Sequence, residues 1–207
     1  MADVNVRALS PLQTARRAVL CGAVLAVFAL FAVVGAWRNK PFAHEAIEVG
    51  GLVAILVCII GRCWCTLYIG GRKGRELVDV GPYSLCRNPL YFFSVVGAFG
   101  FGAQTGSMLV AAACGMITYA VFRFVVSREE NFLKQALGAP YLRYLTTTPR
   151  LLPSFVGWRN VEAVEVRPRR VIATFFDGLL FLTAIPIAEG LESLQGHAWL
   201  PVLLNLP

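Results

Sequence analysis

The sequence predicts an all-α fold: a multi-pass membrane helical bundle of about five to six transmembrane or interfacial helices, with the N-terminus in the cytoplasm. Composition carries this prediction, because 57% of the 207 residues are hydrophobic and only 15% are charged. Soluble chains carry about a quarter charged residues. The mean hydropathy is +0.64, and the apolar residues gather in long runs. A soluble nucleotide-binding domain, a disordered tail and a disulfide-stapled secreted module are thereby excluded.

Two apolar runs occupy the N-terminal part of the chain. Residues 18–37 carry no charge, and a run of about twenty residues is one bilayer crossing. A second run covers residues 46–68 and is followed by a polar stretch, 70–87. We therefore expect one helix in each run, preceded by a cytoplasmic segment over residues 1–17.

The middle of the chain predicts a helical hairpin. Residues 88–122 contain no charged side chain, which is too long for a single crossing. Residues 104–107, Gln-Thr-Gly-Ser, interrupt this run with turn-forming types. We expect two short helices, over 90–103 and 108–126, which need not reach fully across the bilayer.

The C-terminal part combines a polar segment with further apolar helices. Residues 127–170 are polar, and apolar helices are predicted over 171–188 and 191–206, the last a candidate for an interfacial position. We divide the chain into the segment 1–17, a membrane core over 18–153, and a basic loop with helices over 154–207.

The basic residues predict the orientation. Of 19 Lys and Arg residues, three precede the first run, five lie within 62–88 and nine within 123–170. Two lie within 37–44, and none lies within 104–107 or 189–207. Cytoplasmic loops carry an excess of Lys and Arg, so the first group of segments is predicted to be cytoplasmic.

The net charge of +7 and the six cysteines have ordinary explanations in a membrane protein. No basic stripe with interleaved aromatic residues is present, so no nucleic-acid partner is expected. Cys58 and Cys114 lie inside apolar runs, where cysteine behaves as a small hydrophobe. Cys63 and Cys65 have no His or further Cys at ligand spacing, so packing is favoured over a metal site.

The predicted topology gathers polar residues at one end of the hairpin. Because a tight turn makes its two helices neighbours, Arg87, Glu129 and Glu130 are expected to converge at the cytoplasmic surface. The same region contains Tyr83, Tyr91, Tyr141 and Tyr144. Such a cluster can bind a polar cofactor while the bilayer supplies the other substrate. The alternative is a row of interfacial anchors, with Tyr at the headgroups and Arg on lipid phosphate.

Two motif blocks resemble one family. Residues 81–91, Gly-Pro-Tyr-Ser-Leu-Cys-Arg-Asn-Pro-Leu-Tyr, resemble the G-x-Y-x-x-x-R-H-P-x-Y signature of integral-membrane methyltransferases. That family contains the isoprenylcysteine carboxyl methyltransferases and the bacterial phospholipid N-methyltransferases. Residues 129–153 resemble its second block, E-E-x-x-L…G-x-x-Y-x-x-Y…P-R-x-x-P. The resemblance covers about residues 50–153, including the hairpin between the blocks.

The resemblance implies S-adenosylmethionine as the cofactor, bound at the cytoplasmic end of these helices. It implies a catalytic role for Arg87, Asn88 and Glu130. The cofactor-binding residues carried over are Tyr83, Arg87, Asn88, Pro89, Tyr91, Glu129, Glu130, Tyr141 and Tyr144. Gly100 and Gly102 resemble the G-x-G of the phospholipid enzymes, where small residues admit the cofactor; close helix packing is the alternative.

One departure from the signature bears on mechanism. Asn88 stands where the family usually has His, and an amide cannot carry a proton near neutral pH. A carboxylate acceptor needs no base, whereas a protonated amine must first lose a proton. A carboxylate acceptor is therefore slightly favoured. We expect Arg87 to hold the cofactor carboxylate as a bidentate pair.

The expected substrate is a lipid or prenylated molecule that enters sideways from the bilayer. The signature in so small a chain suggests a bacterial inner membrane, and the oligomeric state stays open. Two alternatives remain: a nicotinamide-dependent membrane sterol or lipid reductase, which carries a similar R-H-P-x-Y element, and a non-catalytic scaffold of the same fold.

Overall fold

The computed structural model describes residues 34–36, 41–70, 76–196 and 204–206. Helices dominate it, and they are numbered here in chain order. The α-helices are α1 (Pro41–Ile69), α2 (Pro82–Leu85), α3 (Pro89–Ala103), α4 (Met108–Leu137), α5 (Ala139–Thr147), α6 (Pro168–Leu179) and α7 (Ala184–Gly196). Short 3-10 turns cover Phe155–Gly157 and Leu180–Thr183, and two short strands are β1 (Val34–Ala36) and β2 (Leu204–Leu206).

The all-α membrane prediction is confirmed. Among the described residues, three helical stretches are long and apolar enough to cross a membrane: Phe42–Ile69, Met108–Leu137 and Pro168–Leu191. Large apolar side chains on these helices face outward, as Ile60 and Met116 do, each about two-thirds exposed. Such surfaces require lipid rather than water around them. The cytoplasmic position of the N-terminus stays a prediction.

The two strands correct the outer ends of two predicted helices. β1 and β2 pair in parallel, with Val34 opposite Leu204, where helices were expected over 18–37 and 191–206. The strands belong to segments far apart in the sequence, so local hydropathy cannot reveal that their backbones hydrogen-bond to each other. The segment 1–17 and the rest of the first predicted helix lie outside the described residues.

The central hairpin is confirmed. α3 starts within one residue of its predicted position, and α4 starts at Met108 as expected. The turn between them uses Gly106 at φ 66°, a conformation that glycine adopts without strain. The Ser107 hydroxyl accepts a hydrogen bond from the Val110 amide and caps α4.

The end of α4 corrects the predicted hairpin. The helix was expected to stop at residue 126, but it continues to Leu137 and is 30 residues long. Its last part contains Arg, Glu, Gln and Lys, which are good helix formers although they are polar. The helix ends before Gly138, whose φ is 61°. Glu129 and Glu130 therefore sit on a rigid helix and not in a loop.

The C-terminal helices share the core of the bundle. α6 and α7 follow one another through a single 3-10 turn, so the helix predicted over 171–188 is part of a nearly continuous stretch that extends to Gly196. Of the helix predicted over 191–206, the structure describes only the first residues as helical, and residues 197–203 lie outside the described part. Ala184 packs with Ile55 and Ile59 of α1. Ala188 packs with Val110 and Cys114 of α4. Segment 154–196 thus contributes to the same packing as the predicted methyltransferase core.

Candidate active site

The two motif blocks lie against each other. The Arg87 amide donates to the Pro149 carbonyl over 2.8 Å, which joins the first block to the end of the second. The buried Tyr144 hydroxyl donates to the Tyr83 carbonyl over 2.6 Å. Because each bond joins segments about sixty residues apart, the blocks form one unit only when the chain is folded.

Glycine and proline shape the first block. Gly81 has φ 58°, and a Cβ on it would collide with the ring of Tyr68. Pro82 begins the single turn of α2, and Pro89 begins α3. Proline is favoured at the first helical position because no backbone N–H is needed there. These constraints reverse the chain sharply and leave Arg87 and Asn88 between the two helices.

Glu130 forms a buried ion triad with two arginines. It is 2% exposed, and its Oε2 lies 2.6 Å from Nη2 of Arg150. Its Oε1 lies 3.3 Å from Nε of Arg87, close enough for strong attraction but without hydrogen-bond alignment. Nη1 of Arg87 donates to the Leu145 carbonyl over 3.0 Å. Such a group is stable only while both arginines compensate the carboxylate.

The Asn88 side chain joins the two motif blocks through a hydrogen bond. Its Nδ2 donates to the carbonyl of Arg150 over 3.1 Å, which fixes the loop that presents the Arg150 guanidinium. One ring nitrogen of a histidine is able to make the same bond. The substitution in the family signature therefore keeps the connection between the blocks and removes a proton carrier.

The Glu129 side chain lines a cleft, whereas that of Glu130 lies in the ion triad. Its Oε2 accepts a hydrogen bond of 2.9 Å from the Tyr91 hydroxyl. The Tyr91 ring packs on Phe122, with 4.7 Å between ring centroids. This contact fixes the phenol and through it the position of the carboxylate. Two adjacent glutamates thus have different surroundings, one in an ion triad and one beside open space.

The cleft combines three kinds of surface and has a volume of about 90 Å³. Its polar lining comes from Glu76, Arg87, Asn88 and Glu129. Its aromatic lining comes from Tyr83, Tyr91, Tyr141 and Tyr144, and the remainder is apolar: Ile69, Leu77, Val78, Leu90, Leu133 and Leu137. Sites of this composition bind ligands that are partly apolar and partly charged.

The buried phenols and thiol of the site stay neutral. Burial raises the pKa of Tyr141 to about 12, and the nearby Glu130 adds to the shift. Burial likewise raises the pKa of Tyr83 and Tyr144 well above the usual range. The pKa of the Cys86 thiol is raised to about 12, again by burial. At neutral pH these groups donate or accept hydrogen bonds, and none is a base or a thiolate.

Comparison with known proteins agrees with this geometry. Residues 52–139 match the model of the phospholipid methyltransferase family. Over 157 residues the chain is 32% identical to the nickel-cobalt-cadmium resistance protein NccN of Alcaligenes xylosoxydans xylosoxydans, a match that covers 76% of this chain and 73% of that protein.

This chain belongs to the phospholipid methyltransferase family.

A second relative is the cobalt-zinc-cadmium resistance protein CzcN of Cupriavidus metallidurans. It is 32% identical over 156 residues, which cover 75% of this chain and 72% of that protein. No solved structure matches the chain significantly. The family consists of membrane methyltransferases, which agrees with the three apolar helices that are long enough to span a membrane.

Within this family member, the structure brings most of the predicted site residues together. Pro89 is buried at the start of α3 and positions its neighbours without lining the cleft. Gly100 and Gly102 do not join the cluster. A Cβ on Gly100 would lie 2.6 Å from the Gly51 carbonyl oxygen, and one on Gly102 would lie 2.9 Å from Cα of Ala111. These distances agree with close helix packing, the alternative explanation, and the cofactor role of both glycines stays a prediction.

Arg150 and Glu76 belong to the site but were not predicted for it. Arg150 was visible in the P-R-x-x-P end of the second block, and only its ion pair with Glu130 shows what it does. Glu76 lines the cleft from the loop after α1 and lies in no motif. Nothing in its local sequence distinguishes it from other loop carboxylates.

Proposed function

We propose that this chain is an S-adenosylmethionine-dependent methyltransferase whose acceptor is a lipid or lipidated molecule, methylated at the cytoplasmic face of the membrane. One observation carries the proposal: both motif blocks meet at a single cleft that joins carboxylates, tyrosines and apolar side chains. Family membership supports the reaction class. The apolar helices beside the cleft support an acceptor dissolved in the bilayer.

The residues present fit this cofactor chemically. Its ribose hydroxyls and ammonium group require acceptors, and the Glu129 carboxylate, held by Tyr91, provides one. Its adenine ring and sulfonium favour aromatic faces, which the tyrosines of the cleft provide. A volume of about 90 Å³ is too small for a nucleoside-sized ligand, so the cleft must widen on binding.

We propose for Arg87 a role other than the one that the resemblance implied. Two of its nitrogens already face protein acceptors, Leu145 and Glu130, so its fork is not open for a bidentate pair with a cofactor carboxylate. We propose that Arg87 holds Glu130. Arg150, whose side chain is 37% exposed, is then the arginine with room to meet the cofactor carboxylate.

The bound cofactor supplies an activated methyl group, and the protein supplies alignment. Methyl transfer is a displacement, so its rate depends on holding the reacting atoms in line and on excluding water. Asn88 cannot take a proton, and the neighbouring phenols stay neutral. The site therefore suits an acceptor that arrives already nucleophilic, and a carboxylate is favoured over an amine.

Resistance to transition metals is a second candidate role, favoured by the names of the two relatives. Among the described residues, no group of three His, Cys, Asp or Glu side chains is placed to hold a metal ion. We propose that any such role acts through methylation of a membrane component. Expression of Glu130→Gln in a cobalt-sensitive host tests this: the proposal requires that the variant lose the protection given by the parent chain.

Calorimetric titration with S-adenosylhomocysteine, the demethylated product, tests the main proposal. We expect saturable micromolar binding to the detergent-purified protein and loss of binding in Arg87→Ala and Glu130→Gln. Arg143→Ala, an exposed arginine of α5, is the matched control and should bind normally. Normal binding by both site variants would place the cofactor elsewhere. Binding of a nicotinamide cofactor instead would favour the reductase alternative.

A further inference from the structure

Arg62, the first basic residue of the predicted cytoplasmic segment 62–88, lies within α1, which is long and apolar enough to cross a membrane. It belongs to α1, seven residues before the helix ends at Ile69, which places its Cα roughly 10 Å from that end. A charged side chain at such a depth is costly and usually marks a functional site. The sequence blocks do not include it, and the site described above does not use it.

The structure gives Arg62 very little compensation. Its Nη1 donates to the Ser94 hydroxyl over 2.6 Å. Its Nε is fully buried and has no hydrogen-bond partner. Among the described residues, no carboxylate lies within ion-pair distance of this guanidinium, and Nη2 has no acceptor. Nε and Nη2 form the edge that can hold a carboxylate with two parallel hydrogen bonds, and Nη2 is the donor that an entering carboxylate meets first, because Nε is enclosed by the protein.

Reaching toward the headgroups does not explain this side chain. An arginine that snorkels directs its guanidinium along the helix to the membrane surface. Arg62 instead points across to α3, where Ser94 lies five residues, or roughly 8 Å, inside the start of the helix. Within the part of the chain that the structure describes, this guanidinium is therefore held by a neutral hydroxyl and by no carboxylate.

The position of Ser94 connects Arg62 to the cleft. The Ser94 hydroxyl donates back to the Leu90 carbonyl over 2.9 Å, so the two residues are one helical turn apart. Leu90 lines the cleft. A group bound at Arg62 thus lies on the membrane side of the cleft, about one turn of α3 from its wall.

We propose that Arg62 binds the carboxylate of a membrane-dissolved methyl acceptor and presents it to the cleft. This rests on the proposed function and names the substrate class: an apolar chain that ends in a carboxylate. In an apolar layer a lone carboxylate takes up a proton and loses its nucleophilicity. A guanidinium beside it keeps the carboxylate ionised, and an ionised carboxylate needs no base to react.

The transfer step balances without a further reactant. A lone pair of one carboxylate oxygen forms the new O–CH3 bond while the S–CH3 bond of the donor breaks, with its electron pair left on sulfur. The products are a neutral methyl ester and S-adenosylhomocysteine. Since esterification removes the negative charge, the product no longer pairs with Arg62, which favours its return to the bilayer.

Fluorescence quenching by a brominated fatty acid tests the proposal. Trp64 lies two residues from Arg62, and its ring centroid is 6.5 Å from that of Phe93. The protein is placed in phosphatidylcholine nanodiscs that contain dibrominated stearate or, in parallel, its methyl ester. We expect saturable quenching by the acid only, most of it lost in Trp64→Phe. Arg62→Met should weaken the apparent affinity by at least about tenfold.

Controls distinguish the sources of failure. Arg123→Met removes an exposed arginine of α4 and should leave quenching unchanged. Arg62→Lys keeps the charge and should retain part of the affinity if Arg62→Met folds poorly. Equal quenching by acid and ester, unchanged quenching in Arg62→Met, or displacement by inorganic phosphate would overturn the proposal. S-adenosylhomocysteine binding is measured separately, so loss of cofactor binding alone would contradict the proposed function and not this anion site.

Discussion

At the scale of residues, the adjacent Glu129 and Glu130 have different contacts because consecutive side chains of a helix point in different directions. Glu130 is enclosed by two arginines, and Glu129 faces the cleft from beside Tyr91. The sequence predicted that both would lie near Arg87. It could not predict this division, because the pairing with Arg150 depends on how the chain turns at Gly138 and returns through α5.

The ion triad makes Glu130 a stability determinant. Glu130→Gln leaves two arginines facing a neutral amide, and breaking a buried pair in this way costs about 3 kcal/mol. We expect a lower Tm in detergent together with lost cofactor binding. Glu129→Gln, which leaves the triad intact, should lose binding with little change in Tm. Equal Tm losses in the two variants would contradict the division of roles.

Asn88 predicts a change in acceptor preference. Asn88→His should keep the hydrogen bond to the Arg150 carbonyl and add a group that titrates near pH 6.5, roughly the ordinary histidine value. We expect activity on amine-bearing lipids to appear and to rise with pH through that range, while carboxylate methylation changes little. Methylation of both lipid classes with labelled donor across pH measures the effect. An unchanged preference would show that proton transfer does not determine whether amine or carboxylate lipids are methylated.

The raised tyrosine pKa values predict alkaline destabilisation. Tyr141 and Tyr144 resist ionisation in the folded protein, whereas an unfolded tyrosine ionises near pH 10, its approximate ordinary value. Their contribution is therefore fully present below that pH and is lost as the pH rises toward the folded values. Tm measured against pH should be insensitive to these groups at neutral pH and fall above about pH 10.

At the scale of elements, hydropathy predicts which segments are able to cross the membrane better than it predicts where their helices end. The start of α4 was predicted to the residue because the turn before it contains glycine and serine. Its end was missed by eleven residues, because a helix can leave the apolar layer and continue in polar sequence. The strand pair was missed for a different reason, since each strand is defined only by a distant partner.

A substitution of Gly102 distinguishes a role in helix packing from a role in cofactor binding. A Cβ there would meet the backbone of α4 at 2.9 Å, whereas a Cβ on Gly115 would meet Phe99 at 3.4 Å. Gly102→Ala should lower Tm markedly, by an overpacking cost of about 1–3 kcal/mol, and Gly115→Ala should not. S-adenosylhomocysteine affinity of the folded Gly102→Ala protein should be unchanged. Weaker affinity at normal Tm would instead support the predicted cofactor role of Gly102.

At the scale of the whole molecule, the fold class and the meeting of the two motif blocks were predictable. The position of Arg62, which pairs with no carboxylate among the described residues, was not. Apolar runs and basic loops define crossings and their order. The partner that compensates a buried charge, or its absence, depends on the angle at which helices pack. In α1 that angle directs the guanidinium to Ser94 of α3.

The orientation is a prediction about the assembled molecule. The basic segments around the cleft should be cytoplasmic, and the Gln104–Ser107 turn should lie on the opposite side. Single cysteines are introduced into a cysteine-free background at Glu76 and at Met108, the half-exposed first residue of α4. Labelling with an impermeant maleimide in intact cells and in inverted vesicles measures this. We expect Glu76→Cys to react only in inverted vesicles, and the reverse pattern would invert the topology.

The hairpin of α3 and α4 separates the two motif blocks in sequence and returns the second block to the first in space. Neither block alone has a cleft. A chain whose hairpin fails to insert consequently presents no half-formed cofactor site to the cell. The proposed methyl transfer is thus coupled to correct insertion, and a measured activity would report on the topology of the chain as directly as on its chemistry.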